Sequence, residues 1–182
     1  MAPFEFVMTL VSIIVALGVA ELLIGIARIL RSELKFYWIH AIWVFTLLVM
    51  QLQYSWSLFD LEARNEWVFI DLVRLLAPPI TLFLASSLLF PSRTERIDLE
   101  EYYFAKRKPI FGLLFCVMIY YALLSLSPSF LTAVQFAGVA MATMLFATDR
   151  ARVHAALTLA YAAATVFFVA SFSYTLGDSA FR

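Results

Sequence analysis

The chain has 182 residues, of which 64% are hydrophobic and 14% charged, and its mean hydropathy is +0.91. Soluble domains are roughly 45–50% apolar and about 25% charged, so this composition excludes an ordinary soluble domain and indicates an integral membrane protein. The formal net charge is zero, so no nucleic-acid partner is expected. Cys116 is the one cysteine and cannot form a disulfide within the chain.

Six apolar stretches have the length of a bilayer-spanning helix, which is about 20 residues. They use most of the chain, so we predict an all-α fold, a polytopic membrane helix bundle with six transmembrane helices in a single domain. No Lys or Arg precedes the first stretch, whereas a signal peptide begins with cations, so we expect this span to be retained. The expected spans are 4–30, 36–59, 67–90, 109–126, 128–147 and 150–176.

The first span carries one carboxylate, Glu21, inside an apolar helix. Gly18 and Gly25 lie on the same face, and small residues let another helix approach, so Glu21 is expected to face protein. A charge at membrane depth marks either a function or a buried structural partner, and both interpretations stay open. Arg28 lies two turns further along, about 10 Å away by helical rise, so contact requires that Arg28 bends back or that water intervenes.

Spans 2 and 6 each carry a polar face. Unpaired polar groups are costly in lipid, so both faces are expected to point into the bundle. Interhelical hydrogen bonding is the simplest role for each hydroxyl or amide, and a shared ion pathway is the functional alternative. The residues are His40, Gln51, Tyr54, His154, Thr158 and Tyr161.

Span 3 combines a charge pair with two prolines. Asp71 and Arg74 are one turn apart and are expected to pair. Pro78 and Pro79 lack an N–H, and each disturbs the bond to the carbonyl four residues earlier, so the carbonyls of Arg74 and Leu75 are expected to lose their helical partners. Transporters use such helix breaks as ion or substrate sites, and a plain kink is the alternative.

The longest polar stretch is 91–108. Asp98 and Glu101 match a capping box, which predicts a short interfacial helix before Pro109 begins span 4. Its cations are expected to bind a cytoplasmic protein partner or anionic lipid. They are Arg93, Arg96, Lys106, Arg107 and Lys108.

Span 5 carries a stripe of small side chains that is expected to pack closely against another helix. Gln135 is the only strongly polar residue expected inside this span. The stripe consists of Ala133, Ala137, Ala140 and Met144.

Ten of the 13 cations fall at one set of span ends. The positive-inside rule then places the connections after spans 1, 3 and 5 in the cytoplasm and both termini outside, in a bacterial inner (plasma) membrane. His40 and His154, the only two histidines, are expected at similar depth near the cytoplasmic interface, and Glu21 is expected at a comparable depth.

Three functions compete. The leading hypothesis is a small ion- or proton-conducting channel or transporter with a polar core near its cytoplasmic side. The candidate residues of this polar core or ion pathway are Glu21, Arg28, His40, Gln51, Tyr54, Asp71, Arg74, His154, Thr158 and Tyr161. The second is a non-catalytic membrane sensor or accessory subunit that binds a partner or anionic lipid through residues 93–108. The third is a b-type haem protein with His40 and His154 as ligands; otherwise no cofactor or metal is expected.

A homo-oligomer is compatible with the sequence, and no enzyme motif such as HExxH, GxSxG or a phosphate loop is present.

Four segments carry a resemblance that covers nearly the whole chain. They are FEF followed by VSII, then GVAELLIGIARILR, then YWIHAIW, then LLFPSR at the end of span 3. In these segments the chain resembles a family of uncharacterised bacterial multi-pass membrane proteins. The resemblance implies a six-span inner-membrane protein, and it implies no activity and no site residues.

Overall fold

The computed structural model describes residues 3–32, 35–64, 66–91, 98–124 and 130–172, which form six α-helices and no strand. A short 3-10 turn, Leu58–Leu61, continues the second helix. The helices are α1 (Pro3–Leu30), α2 (Trp38–Ser57), α3 (Phe69–Leu89), α4 (Leu99–Leu124), α5 (Phe130–Ala147) and α6 (Ala151–Phe172).

Five of these helices are long and apolar enough to cross a membrane, namely α1, α2 with its 3-10 turn, α3, α4 and α6. Their outward side chains are apolar as well: Ile13, Leu17 and Ile24 of α1 are 52%, 51% and 54% exposed. A helix that is apolar on all sides is typical of a membrane span, because lipid covers the outer face. The all-α bundle is therefore observed, with five helices that are apolar enough to span a membrane, whereas α5 is shorter by the same measure and the sixth crossing stays a prediction.

The helices are arranged around α2, which packs against α1, α3, α4 and α6. The most extensive interfaces join α4 to α5, α1 to α3, and α3 to α4, while α6 packs mainly on α2. Although spans 1 and 2 follow each other closely in sequence, α1 therefore packs more on α3 than on α2.

Three contacts place the connections after α1, α3 and α5 at one end of the bundle. Arg28 donates a hydrogen bond to the Pro91 carbonyl at 3.4 Å, and Lys35 Nζ lies 3.7 Å from an Asp98 carboxylate oxygen. Near the start of α4, an arginine (Arg107) donates to the carbonyl of Thr148, just after α5. The helices thus alternate in direction through α5, which is the arrangement that six crossings require.

Glycines on α1 allow the close approach that the sequence predicts. A Cβ atom at Gly18 would lie 1.8 Å from Gln51 Nε2, and one at Gly25 would lie 2.3 Å from the Phe90 ring. Both glycines belong to the single buried stripe of α1. The predicted role of small residues on this helix is confirmed.

The buried apolar side chains form two clusters that meet near the middle of α2. The larger cluster contains Trp43 and Leu47 from the first half of α2, with side chains from α1, α3, α4, α5 and α6. The smaller cluster contains Tyr54 at the far end of α2 and packs against the first half of α1. Gln51, which is 0% exposed, lies on α2 between the two sets of residues.

The prediction of a separate interfacial helix in 91–108 is wrong. A single helix, α4, begins at Leu99 and continues through Pro109, although Asp98 does cap it by accepting the Glu100 N–H at 2.8 Å. Leu99 and Tyr103 are 1% and 0% exposed. Burial of these two side chains anchors the first turns of α4 to the bundle. The prediction failed because the other residues of these turns are mostly polar, which is typical of an interfacial segment.

The packing face predicted for α5 is also wrong. All four residues of the predicted stripe are exposed, and Gly138, Ala142 and Leu145 are buried instead. A Cβ at Gly138 would lie 3.0 Å from Met118 Sδ of α4, so the face that contains Gly138 is the one that α4 approaches closely. The exposed stripe consists of Ala133, Ala137, Ala140 and Met144.

Candidate functional site

Glu21 is held by an arginine of its own helix. Arg28 bends back, and its Nη2 donates to Glu21 Oε1 at 3.2 Å, while its Nη1 donates to the Pro91 carbonyl. The two side chains are 36% and 27% exposed, so the pair lies at the edge of the bundle rather than in its core. This contact neutralises the carboxylate and ties the end of α1 to the end of α3.

His40 is buried and bonds to the end of α3. Its Nε2 lies 2.8 Å from the Leu89 carbonyl, and because a carbonyl only accepts, Nε2 carries the proton. The carbonyls in the last turn of a helix have no intrahelical partner, so the imidazole satisfies one of them. The Phe90 ring stands edge-on to the imidazole with a centroid distance of 5.6 Å.

His154 belongs to a different network, between α2, α4 and α6. Its Nδ1 accepts from the Tyr103 hydroxyl at 2.9 Å, and its Nε2 donates to the Thr148 carbonyl at 3.0 Å. Next to it, Trp43 Nε1 donates to Thr158 Oγ1 at 2.9 Å. Both ring nitrogens of His154 are therefore used in holding helices together.

Aromatic rings surround this network. The Trp43 ring packs against Phe111 at 5.0 Å and against Tyr161 at 5.1 Å between centroids. The Tyr161 hydroxyl points to sulfur atoms, 3.5 Å from Met118 Sδ and 3.9 Å from Met50 Sδ, which are weak acceptors. No local pattern distinguishes Phe111, because it is one of many phenylalanines in an apolar run.

The structure gives no support to the haem hypothesis. Each histidine has its own partners among the described residues, and Nε2 of both His40 and His154 donates to a backbone carbonyl. Both bonds would have to break before these nitrogens could bind iron. No group of three or more His, Cys, Asp or Glu in the described ranges could hold a metal ion.

Asp71 and Arg74 lie at the start of α3, away from the polar core in which we expected them. Their pair is present at 3.9 Å, but Arg64 is the nearer partner of Asp71 at 2.5 Å. Asp71 also accepts the Val68 N–H at 3.2 Å, and Arg64 stacks over the Trp67 ring at 4.9 Å. These contacts fasten the connection between α2 and α3, which favours a structural role over a place in an ion pathway.

The two prolines leave α3 continuous, and both carbonyls that they deprive of a partner are satisfied by tyrosines. The Tyr120 hydroxyl of α4 donates to the Arg74 carbonyl at 2.9 Å. The Tyr54 hydroxyl of α2 donates to the Leu75 carbonyl. The sequence therefore predicted which carbonyls lose their helical partner, whereas the tyrosine donors depend on how the helices pack.

Gln51 is the exception among the polar residues of α2 and α6. Its side chain is fully buried, and within the described part of the chain neither its Nε2 nor its Oε1 has a hydrogen-bond partner. The amide lies against Gly18, where a Cβ would come within 1.8 Å of Nε2. The large majority of buried side-chain polar atoms have a hydrogen-bond partner, so this amide requires an explanation.

Most of the basic segment has a structural use or lies outside the described residues. Arg107 donates to the carbonyls of Thr148 at 3.0 Å and Phe104 at 2.9 Å, next to the carboxyl end of α5. Lys106 is half-buried and Lys108 is exposed. Arg93 and Arg96 fall outside the described residues.

At the same end, Asp98 combines two favourable contacts. The hydrogen bond from the Glu100 backbone N–H is the main reason that the pKa of Asp98 lies below its usual value, and Lys35 adds to the effect. This carboxylate therefore stays ionised at neutral pH as the cap of α4.

The geometry divides the expected polar core into separate bonded groups and leaves one unpaired amide, Gln51. Resemblance does not decide its role: comparisons with protein-family models, with curated proteins and with solved structures gave no match. The placement of these side chains is therefore the basis on which a function can be inferred.

Proposed function

We propose that the protein conducts protons or small monovalent cations across a membrane along the interface of α1, α2 and α3. The observation that carries the proposal is the unpaired Gln51 amide. A buried donor or acceptor left without a partner costs about 1–3 kcal/mol, and Gln51 leaves one of each kind. Polar groups retained at membrane depth despite such a cost commonly mark an ion or proton pathway.

Polar groups precede and follow Gln51 along the same interface. Gly18 touches the amide, and Glu21 lies one turn further along α1, toward the Arg28 end of the bundle. In the other direction, Tyr54 lies one turn further along α2 and contacts the Leu75 carbonyl. One helical turn is about 5 Å, so these groups offer closely spaced steps for a hydrated cation or a proton carried by water.

The proposed orientation keeps the Arg28 end in the cytoplasm. Positive charge is concentrated there, and three connections meet at this end, as described above. In a bacterial inner membrane, the path would then run from the Glu21–Arg28 pair, past Gln51 and Tyr54, to the charged groups at the start of α3.

Flux through reconstituted liposomes tests the proposal. Gln51→Leu replaces the amide by an apolar side chain of similar size, and it is expected to lower proton and K⁺ or Na⁺ flux at least about tenfold, since a cation in a dry apolar passage loses its solvation. The matched control is Gln135→Leu in α5, because its Oε1 is also buried and unpaired but lies outside the proposed path. Equal flux for Gln51→Leu and wild type, or no wild-type flux under any gradient, would overturn the proposal.

A second candidate is a membrane sensor or accessory subunit that binds a partner or anionic lipid at its basic edge. The observation in its favour is that Lys108 is exposed beside the start of the span, whereas Arg107 is engaged in structural bonds. Charge reversal by Lys106→Glu and Lys108→Glu should remove anionic lipid retained by the purified protein, as measured by native mass spectrometry. Unchanged lipid retention would argue against this candidate, and unchanged flux in these variants is expected if conduction is the function.

A further inference from the structure

We infer that Gln51 Oε1 and the Leu75 carbonyl form a transit site for a monovalent cation, closed here by the hydrogen bond that the Tyr54 hydroxyl donates to the Leu75 carbonyl. We call these three residues the Tyr54 site. The inference rests on the proposed function and deepens it, since it names the class of ion and the contact that controls its passage.

The Leu75 carbonyl is available because of its position in the sequence. Pro79, four residues later, has no N–H to donate to it, and in lipid a carbonyl must find another partner. Tyr54 supplies that partner from α2. A tyrosine side chain rotates about its own bonds, so this partner can leave without unfolding α3. A backbone N–H could leave the carbonyl only if the helix opened locally.

The neighbouring proline provides an internal comparison. Pro78 deprives the Arg74 carbonyl of its donor in the same way, and Tyr120 of α4 satisfies it on an exposed face of the bundle. Tyr54, in contrast, is 8% exposed and belongs to the buried cluster between α1, α2 and α3. The carbonyl bonded from the interior is therefore the one whose donor, Tyr54, lies one turn from the unpaired Gln51 on α2.

The chemistry of the Tyr54 site selects the ion class. Gln51 Oε1 and the Leu75 carbonyl are neutral oxygen atoms, which suit Na⁺ or K⁺, whereas Ca²⁺ and Mg²⁺ prefer sites with carboxylates. The nearest carboxylate on α3, Asp71, is already paired with Arg64 and Arg74. A neutral site holds a monovalent cation weakly, which conduction requires because the ion must also leave.

The hydrogen bond from Tyr54 keeps the Tyr54 site closed. While its O–H donates to the Leu75 carbonyl, the proton lies on the side where a cation would have to bind. Rotation of the tyrosine away from α3 would expose the carbonyl oxygen, and Gln51 Oε1 lies about one turn away on the same helix.

The first test compares two tyrosine variants in the full-length protein in liposomes. Tyr54→Phe removes the closing bond and should raise K⁺ or Na⁺ flux about fivefold to tenfold, which is the population shift expected from losing one net hydrogen bond. Tyr120→Phe breaks the equivalent bond at the exposed carbonyl and should leave the flux unchanged. A Tyr54→Phe flux at or below the wild-type value, or an equal rise in both variants, would overturn the inference.

The proline variants give a second test that does not depend on the folding of Tyr54→Phe. Pro79→Ala returns a helical N–H to the Leu75 carbonyl and should lower flux, whereas Pro78→Ala returns one to the Arg74 carbonyl and should not. Equal effects of both variants would mean that only the stiffness of α3 matters, which would contradict the Tyr54 site.

Thermal unfolding in detergent separates failure of the Tyr54 site from failure of the proposed function. K⁺, Na⁺ or Tl⁺ should raise the Tm of wild type relative to N-methylglucamine, more strongly in Tyr54→Phe and not in Gln51→Leu, because binding to the folded state stabilises it. Stabilisation without flux would keep the site and refute conduction. Flux without cation-specific stabilisation in any variant would refute the site and keep conduction.

Discussion

At the residue scale, buried polar side chains of this protein bond to carbonyls that cannot be satisfied within their own helices. His40 reaches the Leu89 carbonyl at the end of α3, and Tyr54 reaches the Leu75 carbonyl before Pro79. The sequence identifies such carbonyls, because prolines and helix ends are visible in it. It does not identify the donors, since those depend on which helices pack together, and this is why the sequence could not show which of the polar residues meet.

Glu21 gives the most direct prediction at this scale. Glu21→Gln removes the negative charge beside Arg28 and leaves a net positive charge at the proposed cytoplasmic entrance. Charges that line an entrance change the local concentration of ions by about tenfold or more. Because the remaining charge of Arg28 would repel cations, cation flux should fall by about that factor. Glu62→Gln, in the exposed connection after α2, removes a charge at the opposite end and serves as the control in the same liposome assay. Unchanged flux in Glu21→Gln would leave this ion pair with a structural role alone.

At the scale of the helix, glycine determines where helices approach each other. The stripe of small residues on α1 was read correctly from the sequence, whereas the alanine stripe on α5 was not, because the bundle covers the face with Gly138. Alanines are common on every face of an apolar helix, so their spacing alone carries little information. The start of α4 was mistaken for a separate helix for a related reason: the burial of Tyr103 is a tertiary effect that no local pattern reports.

Alanine substitutions at glycine test this account. Gly25→Ala places a methyl group within 2.3 Å of the Phe90 ring, a bulky group with little freedom to move, and should destabilise the protein by about 1–3 kcal/mol. Gly112→Ala meets only the Phe146 ring at 3.6 Å, an ordinary contact, and should be neutral or stabilising by up to about 1 kcal/mol because alanine favours helix. Thermal unfolding in detergent measures both. Equal stability of the two variants would show that α1 does not need this close approach.

At the scale of the whole molecule, the composition and the lengths of the apolar stretches were enough to predict an all-α bundle with helices able to span a membrane. Its alternating helices bring three connections to one end through Arg28, Lys35 and Arg107. Which side of the membrane this end faces, and whether α5 crosses, are predictions from charge and length. They matter for function, because the proposed path has its charged entrance at that end.

Cysteine labelling tests the proposed topology. In a Cys116→Ser background, Ala63→Cys places an exposed thiol in the connection after α2, and Ala151→Cys places one at the exposed first residue of α6. An impermeant maleimide should label Ala63→Cys in intact cells and Ala151→Cys only after permeabilisation. Labelling of both from outside would mean that α5 does not cross, and the opposite pattern would invert the proposed orientation.

The central claim is that a passing ion or water molecule serves as the partner of the Gln51 amide, which has no hydrogen-bond partner among the described protein groups. The most direct measurement is a crystal structure in a lipid mesophase, at a resolution that locates bound water, with K⁺ replaced by Tl⁺ in one data set. The account predicts density within hydrogen-bonding distance of Gln51 Nε2 or Oε1, and an anomalous Tl⁺ peak near Gln51 Oε1. A Gln51 amide that bonds instead to a backbone or side-chain group, with no density beside it, would contradict the account.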